Sequence, residues 1–300
     1  MRNLLLFLLL TASLITKTHA QQNVTAELSG PYFGQPPGNI PELFSPEILL
    51  KEKQAHSTVV FSENGAEAYW CHNGIWFSKI ENGKWTVPKM PPFSKDEYSD
   101  DAPFISPHGK QLLFASKRPI NPSDTSRKEN IWVVDILNNG WSEARPLPPI
   151  INNAFQHWQM SVDNKGTIYF SHRAVDDDNN IYYSKYINGE YREPEKMSSM
   201  INSEADEGNP FISPDGSYII FSRRQDRKPV DGGLFISYKL KDGLWTEAVS
   251  LKKYIDYKYG GNCAFVSRDG NYLFFLDIFE GKYQRYWISA DFIEELRPKE

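Results

Sequence analysis

The feature that most constrains this chain is a stretch that recurs five times: an apolar run, a Ser-containing turn closed by Gly, and a second apolar or aromatic run. The clearest copy is "GNPFISPDGSYIIFSRR" from Gly208. Its relatives are "STVVFSENGAEAYWCHN" from Ser57, "DAPFISPHGKQLLFASKRP" from Asp101, "QHWQMSVDNKGTIYFSHR" from Gln156 and "NCAFVSRDGNYLFFLD" from Asn262. The turn glycines Gly65, Gly109, Gly166, Gly216 and Gly270 stand 44, 57, 50 and 54 residues apart. A second motif falls between them, as in "GIWFSKIENGKWTVP" from Gly74 and "NIYYSKYINGEYREP" from Asn180. It is an alternating strand, an Asn-Gly-like turn and an aromatic followed by polar residues, which is a hairpin signature.

One repeat is therefore two hairpins, or four strands. Such a sheet has two faces to cover and cannot bury both alone. Radial stacking of copies buries them and leaves short, protected edges, so an all-β, single β-propeller is predicted. Five copies predict five blades, with repeats near 56–98, 99–153, 154–203, 204–257 and 258–300. The third copy reads as carrying two extra residues in its turn, "SVDNKG".

"SPDGSYIIFSRR" and its relatives resemble the WD-like repeat of TolB-like β-propeller proteins. The segment "PYFGQPPGNIPELFSPEIL", from Pro31 to Leu49, resembles the lead-in of an exported bacterial subgroup of that family. The resemblance implies a propeller used as a binding module, in a family where six blades are also found. It implies no single activity, because propellers host many. Residues 21–55 are read as the lead-in, and "PELFSPEIL" resembles the blade end "RPLPPIIN" at Arg145–Asn152. The lead-in thereby becomes a candidate outer strand for the last blade.

The opening residues, "MRNLLLFLLLTASLITKTHA", place one positive charge before an apolar run and small residues near Ala20. That is the layout of a signal peptide spanning residues 1–20. It predicts a periplasmic or secreted protein with no membrane span, since a spanning helix needs about 20 apolar residues. Loss of Arg2 and Lys17 would take the formal net charge of −5 to −7. So acidic a chain lacks the basic footprint of a nucleic-acid binder.

In a propeller, the loop entering each innermost strand and the loop leaving the second strand share one face, around the channel mouth. The candidate ligand-binding residues on that rim are Asp101, Arg118, His157, Arg173, Glu207 and Arg223. Arginines at a concave mouth suit carboxylate or sulfate groups, which predicts a protein partner or an acidic glycan. The competing reading is that these charges pair between neighbouring blades and only close the ring. A carbohydrate-active enzyme, lyase or glycosidase, is the alternative use of the same face, with Asp100, Asp101 and Glu207 as paired carboxylates. No cofactor is predicted. The one metal reading gathers His56, Gln156, His157 and His172, but the chain lacks a His-x-His pair. "NPSDTSRKEN" (residues 121–130) reads as a lid or a tolerated insertion, and "AVDDDNNIYY" (174–183) as an exposed loop. Cys71 and Cys263 fall in the first and last blades, where ring closure makes them neighbours, and are read as either a pair or buried thiols.

Overall fold

The alternation read from the sequence becomes strands at every copy. The computed structural model describes residues 28–34, 36–44, 48–49, 57–153, 158–173, 179–225, 228–255, 261–279 and 282–299. Five antiparallel sheets, each with a path of four strands, are arranged as a β-propeller. The first blade runs Val60–Phe61, Glu67–Cys71, Ile75–Glu81 and Lys84–Trp85. The second runs Asp101–Ile105, Gln111–Ser116, Asn130–Leu137 and Arg145–Pro146, and the third Met160–Val162, Ile168–Arg173, Asn179–Ser184 and Glu195–Lys196. The fourth comprises Asp206–Ile212, Tyr218–Gln225, Lys228–Tyr238 and Val249–Ser250. The fifth has Asn262–Val266, Tyr272–Phe279 and Lys282–Ser289 from the C-terminal part of the chain.

Its fourth strand comes from the other end. Glu42–Leu43 pairs with Trp287 and Tyr286, so residues near the two ends of the chain share one sheet. The rest of the lead-in seals the seam between the fifth and first blades. Tyr32 donates its N–H to Gly65 O at 3.0 Å, and Trp85 donates its indole N–H to Gly30 O at 2.8 Å. The Tyr32 ring lies edge-on to Phe61 at 5.1 Å and to Tyr272 at 5.2 Å, while Phe44 meets Phe274 at 5.0 Å. Arg285 adds a polar stitch: its guanidinium donates to Ser57 O and Cys71 O of the first blade at 3.1 and 2.9 Å.

The recurrent serine has a physical reason. Ser213 Oγ accepts the N–H of Tyr218 at 3.0 Å and donates to Asp215 Oδ1 at 2.7 Å, and Asp215 in turn accepts the N–H of Ser217. The same triangle recurs around Ser62 with Asn64 and around Ser267 with Asp269. Side chains thus satisfy the backbone of a tight bend, which is why Ser and Asp or Asn hold those positions. The third blade differs from its sequence reading. Asp163, not Ser161, takes the place of the turn serine, accepting the N–H groups of Lys165 and Thr167 at 2.9 Å each. The backbone closes from Asp163 to Thr167, against Ser213 to Tyr218 in the fourth blade, so this bend is one residue shorter rather than two longer.

The buried faces are aliphatic and aromatic throughout, with Val60, Phe104, Phe211 and Phe265 lining the innermost strands. No helix among the described residues is long and apolar enough to cross a membrane.

Candidate ligand site at the channel mouth

Three innermost strands begin the same way. The register slips between Asp101 and Phe104, between Gly208 and Phe211, and between Asn262 and Phe265. Within each slip stands a non-glycine residue in the left-handed region: Ala102 at φ 47°, Asn209 at φ 51° and Cys263 at φ 51°. Trp158, entering the third blade, has φ 42°. Each costs about 1–3 kcal/mol, and such strain persists where a structure must aim particular groups. Here it turns the strand entrances of four blades toward one opening.

That opening is a cavity of about 230 Å³. It is smaller than the ~300–1,000 Å³ typical of pockets for drug-sized ligands, and so fits one ring or the end of a chain. Its polar wall is a relay of amides. Gln159 donates across the channel from the third blade to Ala264 O in the fifth at 2.8 Å. The Gln159 N–H approaches Asn209 Oδ1 at 3.4 Å, and Asn209 Nδ2 donates to Asn262 Oδ1 at 2.6 Å. Asn262 Oδ1 also accepts from Ser222 Oγ and from the Cys263 N–H. With its oxygen so occupied, the Asn262 amide group is oriented, and its Nδ2 has no hydrogen-bond partner among the described residues.

Two carboxylates complete the wall. Asp101 accepts the N–H of Ala102 at 2.6 Å, and Glu129 accepts the N–H of Trp158 at 3.0 Å. Burial pushes the Glu129 carboxyl above the ordinary range; the nearby Asp101 charge adds to this, against the opposing pulls of the Trp158 N–H and Lys117. Arg224 is exposed and makes no ion pair among the described residues. Trp158, 37% exposed, and Tyr283 supply flat apolar surface.

Of the six residues singled out from the sequence, Asp101 alone lines this cavity. Arg118 is buried in the second blade, pairing with the fully buried Asp100 at 2.5 Å and donating to Phe93 O at 2.9 Å. Its guanidinium lies 5.1 Å from the ring centres of Phe114 and Trp132. Arg223 pairs at 2.8 Å with Glu207, whose other partners are the N–H and hydroxyl of Ser203. Burial raises the Glu207 carboxyl, against the pull of those donors and of Arg223. Both ion pairs lie within a single blade, not across neighbours. Arg173 is exposed at the end of its strand, and His157 lies outside the described residues, as do His56 and Gln156. His172 packs edge-on to Tyr182 at 5.0 Å. No cluster of three His, Cys, Asp or Glu side chains among the described residues is placed to hold a metal ion. Cys71 and Cys263 are buried free thiols.

Glu129 and Tyr283 were not foreseen, yet a signal existed. The loop from the second to the third strand starts and ends on the same face, so the residue before a third strand belongs to the mouth as much as the residue after a second.

No family model matches the chain, and no curated protein matches it. Solved structures do match in fold. A protein assigned as TolB from Agrobacterium tumefaciens aligns at TM-score 0.52 and 14% identity, over 78% of this chain and 77% of that one. A thermostable family-43 glycoside hydrolase aligns at TM-score 0.53 and 13% identity, over 84% and 90%. The endo-arabinase of Bacteroides thetaiotaomicron aligns at 0.51 and 12%, over 80% and 94%. At such identities the likeness is one of fold.

Proposed function

We propose that this chain is an exported β-propeller that binds the end of a neutral, hydroxyl-rich chain, a carbohydrate, in its channel mouth. The oriented amide relay carries the reading. Asn262 Nδ2 is held as a donor, with Asp101 and Glu129 as acceptors beside it and Trp158 and Tyr283 as flat surface. Sugars present alternating hydroxyls over apolar ring faces, and this wall offers a partner to each. The acidic ligand expected from the sequence rested on Arg118 and Arg223, whose charges are matched by Asp100 and Glu207. That leaves Arg224 facing two carboxylates, a poor balance for a polyanion. Export is supported by the apolar run Leu4–Leu10 behind Arg2.

The test is a calorimetric melt against neutral oligosaccharides (arabino-, xylo-, gluco- and manno-configured) and polygalacturonate. A ligand present at about 100 times its Kd adds roughly 2.7 kcal/mol of stability. A neutral sugar should raise the midpoint of the native protein and not that of Asn262→Ala. Stabilisation by polygalacturonate alone, or an equal shift in Asn262→Ala, contradicts the reading.

A second reading has its own support. A carboxyl held above its ordinary range beside a second carboxylate is the arrangement that divides acid from base in glycoside hydrolysis. On that reading Glu129 gives its proton to the leaving oxygen while Asp101 accepts one from the attacking water. Release of reducing ends from a bound sugar, lost in Glu129→Gln with binding retained, would favour it. Binding without release favours the module.

A further inference from the structure

The bends between first and second strands lie on the face opposite the mouth. Between the second and third blades that face opens into a groove of about 1,170 Å³, roughly five times the mouth cavity. The repeat departs from its own pattern on both walls. His108 stands where three other bends carry Asp or Asn, and its Nε2 reaches Asn164 O of the third blade at 3.2 Å. Across from it, Asp163 makes the shortened bend, and the Tyr186–Ile187 and Glu190–Tyr191 strands form a separate two-stranded ribbon alongside. These departures do nothing for the mouth.

The groove is apolar below and cationic above. Buried Leu113, Val133 and Leu147 and half-buried Ile136 and Ile150 contribute to its lining. Lys110 on the second-blade bend and Lys165 on the third-blade bend are exposed and make no ion pair among the described residues. The carboxylates nearby are mostly engaged. Asp135 takes Arg145 in bidentate fashion at 2.8 Å for both contacts, and also Gln111 at 3.0 Å. Asp163 is engaged by its own bend. Glu190 is left as the groove's one carboxylate without a partner among the described residues, against two such ammonium groups. In a chain of formal net charge −5, that is a local reversal of sign.

We propose that this groove docks an extended segment of a partner protein whose apolar side chains enter the floor and whose acidic side chains meet Lys110 and Lys165. A sugar would leave the aliphatic floor unused. A second copy of this acidic chain would need an acidic apolar segment at its own surface, which makes self-association one outcome of the test. The site is separate from the mouth and stands whether or not the mouth binds carbohydrate.

The experiment pans a random peptide library displayed on phage against the intact protein, then measures the enriched peptides by fluorescence polarisation. Enriched sequences should alternate acidic and apolar residues. Their affinity should fall at least about tenfold in the Lys110→Glu, Lys165→Glu double variant, and return when the peptide's acids are exchanged for lysines. Asn262→Ala should leave it unchanged. Both lysines are exposed, so the double variant should melt as the parent does, and self-association would show as a concentration-dependent mass in sedimentation. Failure to enrich any peptide, equal binding to the double variant, loss of binding in Asn262→Ala, or self-association through these lysines would each overturn the proposal.

Discussion

Two glycines in equivalent bends allow the sealing of the ring to be measured against an internal control. Gly65 and Gly109 both adopt φ +65°, so an alanine at either pays the same left-handed strain, about 1–2 kcal/mol. Their surroundings differ. A Cβ on Gly109 meets nothing within 4 Å, whereas on Gly65 it meets three atoms of the Tyr32 ring at 2.8–2.9 Å. That ring is wedged among Phe61, Tyr272 and Phe274 and is 7% exposed, so it must leave its site for the methyl group to enter. Full loss of a buried aromatic costs about 3–5 kcal/mol, and partial repacking recovers some of it. Gly65→Ala should therefore cost roughly 2–3 kcal/mol more than Gly109→Ala, read as a shift in the urea midpoint at unchanged slope. In a Tyr32→Ala background the gap should close, since the coupling partner is gone. Equal costs for the two glycines in the parent protein would refute the view that the lead-in is a structural wedge.

Further outcomes follow from the charges. Arg118→Met strips the guanidinium from a fully buried Asp100 and should destabilise by about 3–5 kcal/mol, yet leave sugar binding intact in whatever fraction stays folded. Glu129 holds its proton more tightly in the folded state than at its ordinary value of 4.5, so its contribution to stability is fully present below that value. It is lost as pH rises through the folded value. Glu129→Gln should accordingly gain on the parent across that interval, and a pH-independent difference between the two would contradict the assignment. Burial pushes the Cys263 thiol up to about 12 and the Cys71 thiol well above its ordinary value. Neither should react with Ellman's reagent at pH 8 in the native protein, and both should react on unfolding.

How much of this was legible depended on whether the relevant physics was local. The turn serines and glycines announce the strands because each bend is satisfied by its own side chains, as Ser213 and Asp215 show. Five copies then give five blades. The mouth was legible as a place, since strand order dictates which loops share a face, and Asp101, Asn209 and Asn262 do meet there. Its chemistry was not. Whether an arginine after a second strand faces the channel or turns back into its blade depends on the neighbouring strand. Asp100 draws Arg118 inward and Glu207 draws Arg223, whereas Arg224, one position further on, stays at the opening. The strained entrances at Ala102 and Cys263 leave no compositional trace, because neither residue type favours a positive φ.

The central claim is that ligand is held by the oriented amides of the mouth and not by the arginines behind it. The most direct measurement is a calorimetric titration of the best neutral oligosaccharide into the parent protein, Asn262→Ala and a folded Arg223→Lys variant. Binding should weaken at least about tenfold, or roughly 1.4 kcal/mol, in Asn262→Ala alone. Loss in Arg223→Lys with Asn262→Ala unaffected, or no binding of any neutral sugar to the parent, would contradict the claim.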